Sequence, residues 1–164
     1  MRSILLILVT ALHLVPHPFG VSPIGGTALY AGAYGNPRMV WLAPLVPLFI
    51  GDLFGGFYDL TVMAFVYLGF ALSALVGQRF LARRRDTRRI ASAIVSAAMV
   101  FYLVSNFSIW LVGMYPPTAA GLVSCYVNGL PSLGTAILAD AAYCLLLFGA
   151  HTMIERSQPV VATA

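Results

Sequence analysis

Charge is scarce in this chain. Nine per cent of its 164 residues are charged, against about a quarter in a typical soluble domain. Lysine is missing altogether, so that all nine basic residues are arginines. With 60% apolar residues and a mean hydropathy of +0.91, this composition excludes a water-soluble domain and makes the bilayer the solvent. Cysteine is nearly absent. Cys125 and Cys144 are the two in the chain, and a disulfide framework is excluded by so small a number. Also lacking are a phosphate-binding glycine loop, a pair of facing carboxylates and a nucleophile with its base, so no catalytic residue, cofactor or metal site is expected. An intramembrane enzyme would have Asp140 as its lone acid. The net charge of +4 does not imply nucleic acid, because six of the nine arginines fall between positions 79 and 89, beside an apolar run where anionic lipid accounts for them.

What is present is a series of apolar segments: 3–15, 23–34, 39–53, 60–80, 90–114 and 131–154. The arginines lie at Arg2, at Arg38, in the run Arg79, Arg83, Arg84, Arg85, Arg88 and Arg89, and at Arg156. An even number of segments separates each group from the next, so all four groups can be cytoplasmic at once under the positive-inside rule. This spacing predicts an all-α membrane protein of the bacterial inner membrane. It is a bundle of about six transmembrane helices in one domain (1–156), with both termini cytoplasmic and a disordered tail at 157–164. The last three segments are long enough to span the ~30 Å hydrocarbon core. The first pair is short, which leaves open whether those segments span fully or are re-entrant. The run 118–130, carrying Gly121, Ser124, Tyr126 and Asn128, reads as a short helix that lies at the outer surface or folds back into the bundle. Met1 to Val15 imitates a secretory leader, but no small-x-small site follows, and it is read as a retained span.

Asp140 is the sharpest local signal. It lies about 14 Å into the last segment at 1.5 Å per residue, a depth at which a carboxylate needs a partner or a proton. Asn106, at matching depth on the preceding segment, is the expected donor. His17, Asp52, Tyr58 and Tyr115 collect at the outer ends of the segments, and together with Asn106 and Asp140 they have the composition of a small-molecule pocket. The bland alternative for the outer groups is an aromatic belt with helix caps, and for Asp140 with Asn106 a buried interhelical hydrogen bond that fixes packing. Gly25, Ala28, Gly32 and Gly35 follow one another in steps of three, four and three, which places them on one helix face. Such a face serves either internal packing or the docking of another membrane subunit, and docking predicts that it looks outward to lipid. His151, beside Glu155 and Arg156, reads as an interfacial residue.

Further residues carry a resemblance. The run His17, Pro18, Phe19, Gly20, Val21, Ser22, Pro23 and Ile24, then Gly51, Asp52, Gly56, Phe57 and Tyr58, then Asn106, Phe107, Trp110, Tyr115, Pro116, Pro117, Thr118 and Gly121, and finally Asp140, resemble an uncharacterised family of small bacterial integral membrane proteins. Its layout is similar to that of the S components of energy-coupling-factor vitamin transporters. That similarity implies binding and uptake of a vitamin-like small molecule, membrane lipid as surroundings, and a membrane coupling subunit with an ATPase as partner. In S components an alanine pair four apart contacts the coupling subunit. Here the matching positions are Ala28 and Gly32, with the second alanine replaced. The rival expectation is a structural or assembly subunit of a larger membrane complex.

Overall fold

The computed structural model of the protein describes His13 and residues 21–157. Every regular element among them beyond His13 is one of five helices: α1 (Ile24–Tyr34), α2 (Leu42–Gly55), α3 (Leu60–Leu81), α4 (Thr87–Leu111) and α5 (Ala119–Ser157). Aspartates start two of them. The Asp59 carboxylate accepts from the Thr61 and Val62 amides at 2.9 and 3.0 Å, and Asp86 accepts from the Arg89 amide at 3.1 Å. Each satisfies donors that the first turn of a helix leaves unpaired. Glycines end two: Gly56 (φ +96°) follows α2 and Gly113 (φ +84°) follows α4, and both take a backbone region that side chains disfavour.

Helices α3, α4 and α5 are long and apolar enough to cross a membrane. They also turn large aliphatic groups outward, Leu138 at 72% and Leu145 at 77% exposure among them. In water such faces would be a liability, whereas in hydrocarbon they are the expected surface. About six transmembrane helices were expected, the first pair of them left open as full or re-entrant, and the described residues contain three helices of spanning length. The 11 residues of α1 and the 14 of α2 reach only about 16 and 21 Å. The first segment, apart from His13, lies outside the described residues. Ser157, placed in the tail by the sequence, still belongs to α5.

Two boundaries differ from expectation for a common reason. The run 118–130 is not a separate short helix: from Ala119 it forms the first third of α5, packed on α4, and α5 continues through Pro131 to a length of 39 residues. Two of its side chains bond to α4: the Tyr126 hydroxyl donates to the Leu103 carbonyl at 2.8 Å and the Cys125 thiol to the Asn106 carbonyl at 3.3 Å, while the Tyr102 hydroxyl donates back to the Tyr126 carbonyl. Likewise α2 runs on to Gly55, two residues past the apolar segment that ends at 53, and its Asp52 accepts from Tyr67 of α3. Interhelical hydrogen bonds make such polar stretches compatible with a helix inside the bundle.

The short helix α1 is the hub. Residues 24–33 are all buried, enclosed chiefly by α3 and α5. Glycines let the backbones approach: a Cβ at Gly32 would overlap the backbone of Gly77 and Gln78, and one at Gly77 would come within 2.9 Å of the Leu29 Cα. The end of α1 meets the arginine-rich turn between α3 and α4. There Arg85 donates to the Ala33 carbonyl at 2.8 Å and its guanidinium sits 4.1 Å from the centre of the Tyr34 ring. Beside it His151, one turn before Glu155, is fully buried among the neighbouring helices. It shares hydrogen bonds with the Tyr30 hydroxyl at 2.7 Å and with Glu155 at 2.9 Å, and stacks on Tyr34 at 3.9 Å. A cationic group and a polar side chain therefore hold the C-terminal end of a helix that hydrophobic contacts hold along its length.

Candidate functional site

The small residues of α1 do not form the outward docking face that a coupling subunit would need. Ala28 is 0% exposed and Gly25 and Gly32 are buried within the bundle, and only Gly35, beyond the last turn, is exposed. The stripe is used for internal packing because α1 is too short and too central to reach lipid along that face.

Above its N-terminus lies a cavity of about 400 Å³, a size within the range of small-molecule sites. Three helices wall it at helical spacing. Val62, Val66, Phe70 and Ser73 come from α3, Ala97, Ala98, Phe101, Tyr102, Ser105, Asn106 and Ile109 from α4, and Ser132, Leu133, Ala136 and Asp140 from α5. Ser22 and Gly25, at the start of α1, close the bottom, and Tyr58 stands near the end opposite the arginines. From Val62 to Ser73 the wall descends about 16 Å along α3 at 1.5 Å per residue, which brings its lower part to mid-membrane depth.

The wall is mostly apolar. Most of its polar atoms are tied back to their own helices: Ser73 donates to Gly69 at 2.9 Å, Ser132 to Gly129 at 2.7 Å, and Asn106 to the Tyr102 carbonyl at 2.9 Å. The charged member of the lining is Asp140, 7% exposed. Its carboxylate accepts from the Gly26 amide and fills the space that a Cβ on Gly25 would occupy. It thereby meets the positive end of α1, where a helix leaves unpaired N–H groups and partial positive charge. Asn106 is not its donor, contrary to expectation. That amide is turned up its own helix and packs on Gly129, where a Cβ would overlap it.

Of the six residues expected to touch a ligand, the structure brings Tyr58, Asn106 and Asp140 to one cavity. Asp52 instead accepts from the Tyr67 hydroxyl at 2.7 Å and joins α2 to α3. Tyr115 accepts from the Asn128 amide at 3.2 Å in the turn beyond α4. His17 lies outside the described residues. Partial burial and the neighbouring Asp52 carboxylate push the Tyr58 phenol up to about 12, so it stays protonated as a donor near the mouth. Ser22, Ser105 and Ser132 were not foreseen as lining residues. Their signal was available in the four-residue rhythm that runs through Ser105 and Ile109 on one helix, and through Ser132, Ala136 and Asp140 on the next.

Compared with known proteins, residues 1–161 match the model of a family of unknown function (DUF6580). No curated protein and no solved structure matches the chain. The similarity in layout to S components of vitamin transporters therefore finds no support among solved folds.

Proposed function

We propose, for a chain that belongs to this family of unknown function and takes no activity from it, that the protein is a membrane receptor for a small organic molecule. The ligand enters from the end opposite the arginine run and lodges between α3, α4 and α5. The cavity, in which Asp140 is the charged lining side chain among the described residues, is the observation that carries this reading. Its chemistry also narrows the ligand. A half-length helix aimed at the middle of a membrane commonly offers its positive end to an anionic substrate, but here Asp140 already occupies that position. Among the described residues no arginine or histidine lines the cavity. A carboxylate-bearing ligand would meet Asp140 as a like charge, whereas an apolar body with an amine or N–H donor would pair with it.

Orientation follows from charge. The turn with Arg83, Arg84, Arg85, Arg88 and Arg89 lies on the cytoplasmic side of the inner membrane, with the C-terminus on the same side, because translocating guanidinium groups is unfavourable. With the N-terminus also inside, the chain would have a plan of about six crossings, to which α1 and α2 contribute segments shorter than a full span. Uptake of the bound molecule, in the manner of a vitamin transporter, is the activity such a receptor would serve. An ATP-driven partner would have to dock elsewhere than on α1. The alternative of a structural subunit loses its motive, since the small-residue face is buried inside the chain.

The test is thermal unfolding of the purified protein against a panel of amine, neutral and carboxylate ligands. A one-site ligand at a hundredfold excess over its Kd stabilises by about 2.7 kcal/mol. Amine or neutral donors should raise the midpoint in the native chain and lose the effect in Asp140→Asn, with Tyr58→Phe weakening it and Asp52→Asn leaving it intact. A response confined to carboxylates, or none across the panel, refutes the reading.

A further inference from the structure

A second concavity lies at the arginine-rich end, separate from the ligand cavity. It has a volume of about 790 Å³, and Arg79, Arg83, Arg84 and Arg89 line it beside Leu75 and Phe80. Arg89 is partly spent, since its Nε lies 3.3 Å from the Asp86 carboxylate. Among the described residues no acidic partner faces Arg79, Arg83 or Arg84. Arg85, from the same run, turns away to cap α1. Several guanidinium groups around one hollow, with little counter-charge, are placed to take a phosphoryl group by paired N–H donors.

The apolar side of the hollow identifies what carries that group. Leu68, Leu75 and Arg79 follow at steps of seven and four on α3, one face of the helix. Leu68 and Leu75 are 48% and 42% exposed, so an outward aliphatic strip on a membrane-crossing helix leads directly into the arginine hollow. A free phosphate has no use for this strip. We propose that the hollow is a binding site for one anionic phospholipid, its phosphodiester held by Arg79, Arg83 and Arg84 and an acyl chain lying along Leu75 and Leu68. This differs from general attraction to a charged leaflet in that particular arginines hold the headgroup and others in the same turn do not.

The experiment uses the full chain, delipidated in neutral detergent, with phosphatidylglycerol or phosphatidylcholine of the same acyl chains added and bound lipid counted by native mass spectrometry. Phosphatidylglycerol should be retained and phosphatidylcholine lost, and the former should also raise the unfolding midpoint of the unmodified protein. Arg83→Gln and Arg84→Gln should each weaken retention about fivefold, the effect of roughly 1 kcal/mol per guanidinium at a membrane surface. Arg88→Gln, whose side chain is outside the hollow, should leave it unchanged. Equal loss in Arg88→Gln would show diffuse charge and overturn the site. Displacement of the lipid by stoichiometric inorganic phosphate would overturn the lipid assignment.

Discussion

Asp140 shows how one residue can be legible in its importance and illegible in its partner. A carboxylate midway along an apolar run had to be compensated, and that much follows from the amino acids. Its donor, however, comes from Gly26 on a helix more than a hundred positions away in the chain, and only packing brings the two together. Gly25 is part of the same arrangement because its missing side chain leaves room for the carboxylate. Gly25→Ala should lower stability by about 1–3 kcal/mol, the usual range for overpacking a filled interior. In an Asp140→Ala background, where the obstructing group is gone, the same change should be nearly neutral. Unfolding midpoints of the two single variants and the double variant measure this coupling, and strictly additive effects would refute the contact. Asn106 teaches the converse. Depth matching nominated it as the donor, but its amide found a carbonyl on its own helix at 2.9 Å, an outcome that spacing between helices does not reveal.

At the scale of elements, α1 is held at both ends by side chains from elsewhere, Asp140 at its start and Arg85 at its finish. An isolated helix of 11 residues is marginal on its own, so its persistence depends on these ends and on enclosure by α3 and α5. Arg85→Gln should cost about 0.3–1 kcal/mol for the lost charge at a helix C-terminus and should speed hydrogen exchange of the last α1 amides. Arg84→Gln, directed into the other hollow, should leave those amides as protected as before, and equal exchange in both variants would remove the cap from the account. The aspartate caps of α3 and α4 could be read in advance because a cap is a local interaction over two or three residues. The continuity of α5 could not. Ser124, Tyr126 and Asn128 look like a surface stretch when their neighbours are unknown, and a half-buried Tyr126 joins α5 to α4 once Leu103 supplies an acceptor.

For the molecule as a whole, the direction in the membrane that we propose from the arginine pattern is open to a direct test. A cysteine introduced at Asp86, an exposed position in the α3–α4 turn, should resist a membrane-impermeant thiol reagent in intact cells and react once the membrane is opened. One introduced at Met114, 69% exposed beyond α4, should react from outside without opening. Both native thiols are buried, which keeps the background low, and the reverse pattern would invert the orientation. Hydropathy and charge spacing determined by themselves that this protein lives in lipid, that α3, α4 and α5 exist, and where the chain turns between α3 and α4. These are properties of short stretches, in which each residue's transfer from water and each cap is decided within a turn or two. Tertiary structure alone decided that α1 is an enclosed half-span, that its small residues face inward, and that Tyr58, Asn106 and Asp140 share one cavity while Asp52 and Tyr115 do not. Those outcomes depend on which helix faces meet, and helices joined by a bilayer crossing or more of chain meet according to side-chain shape, which neighbours along the sequence do not encode.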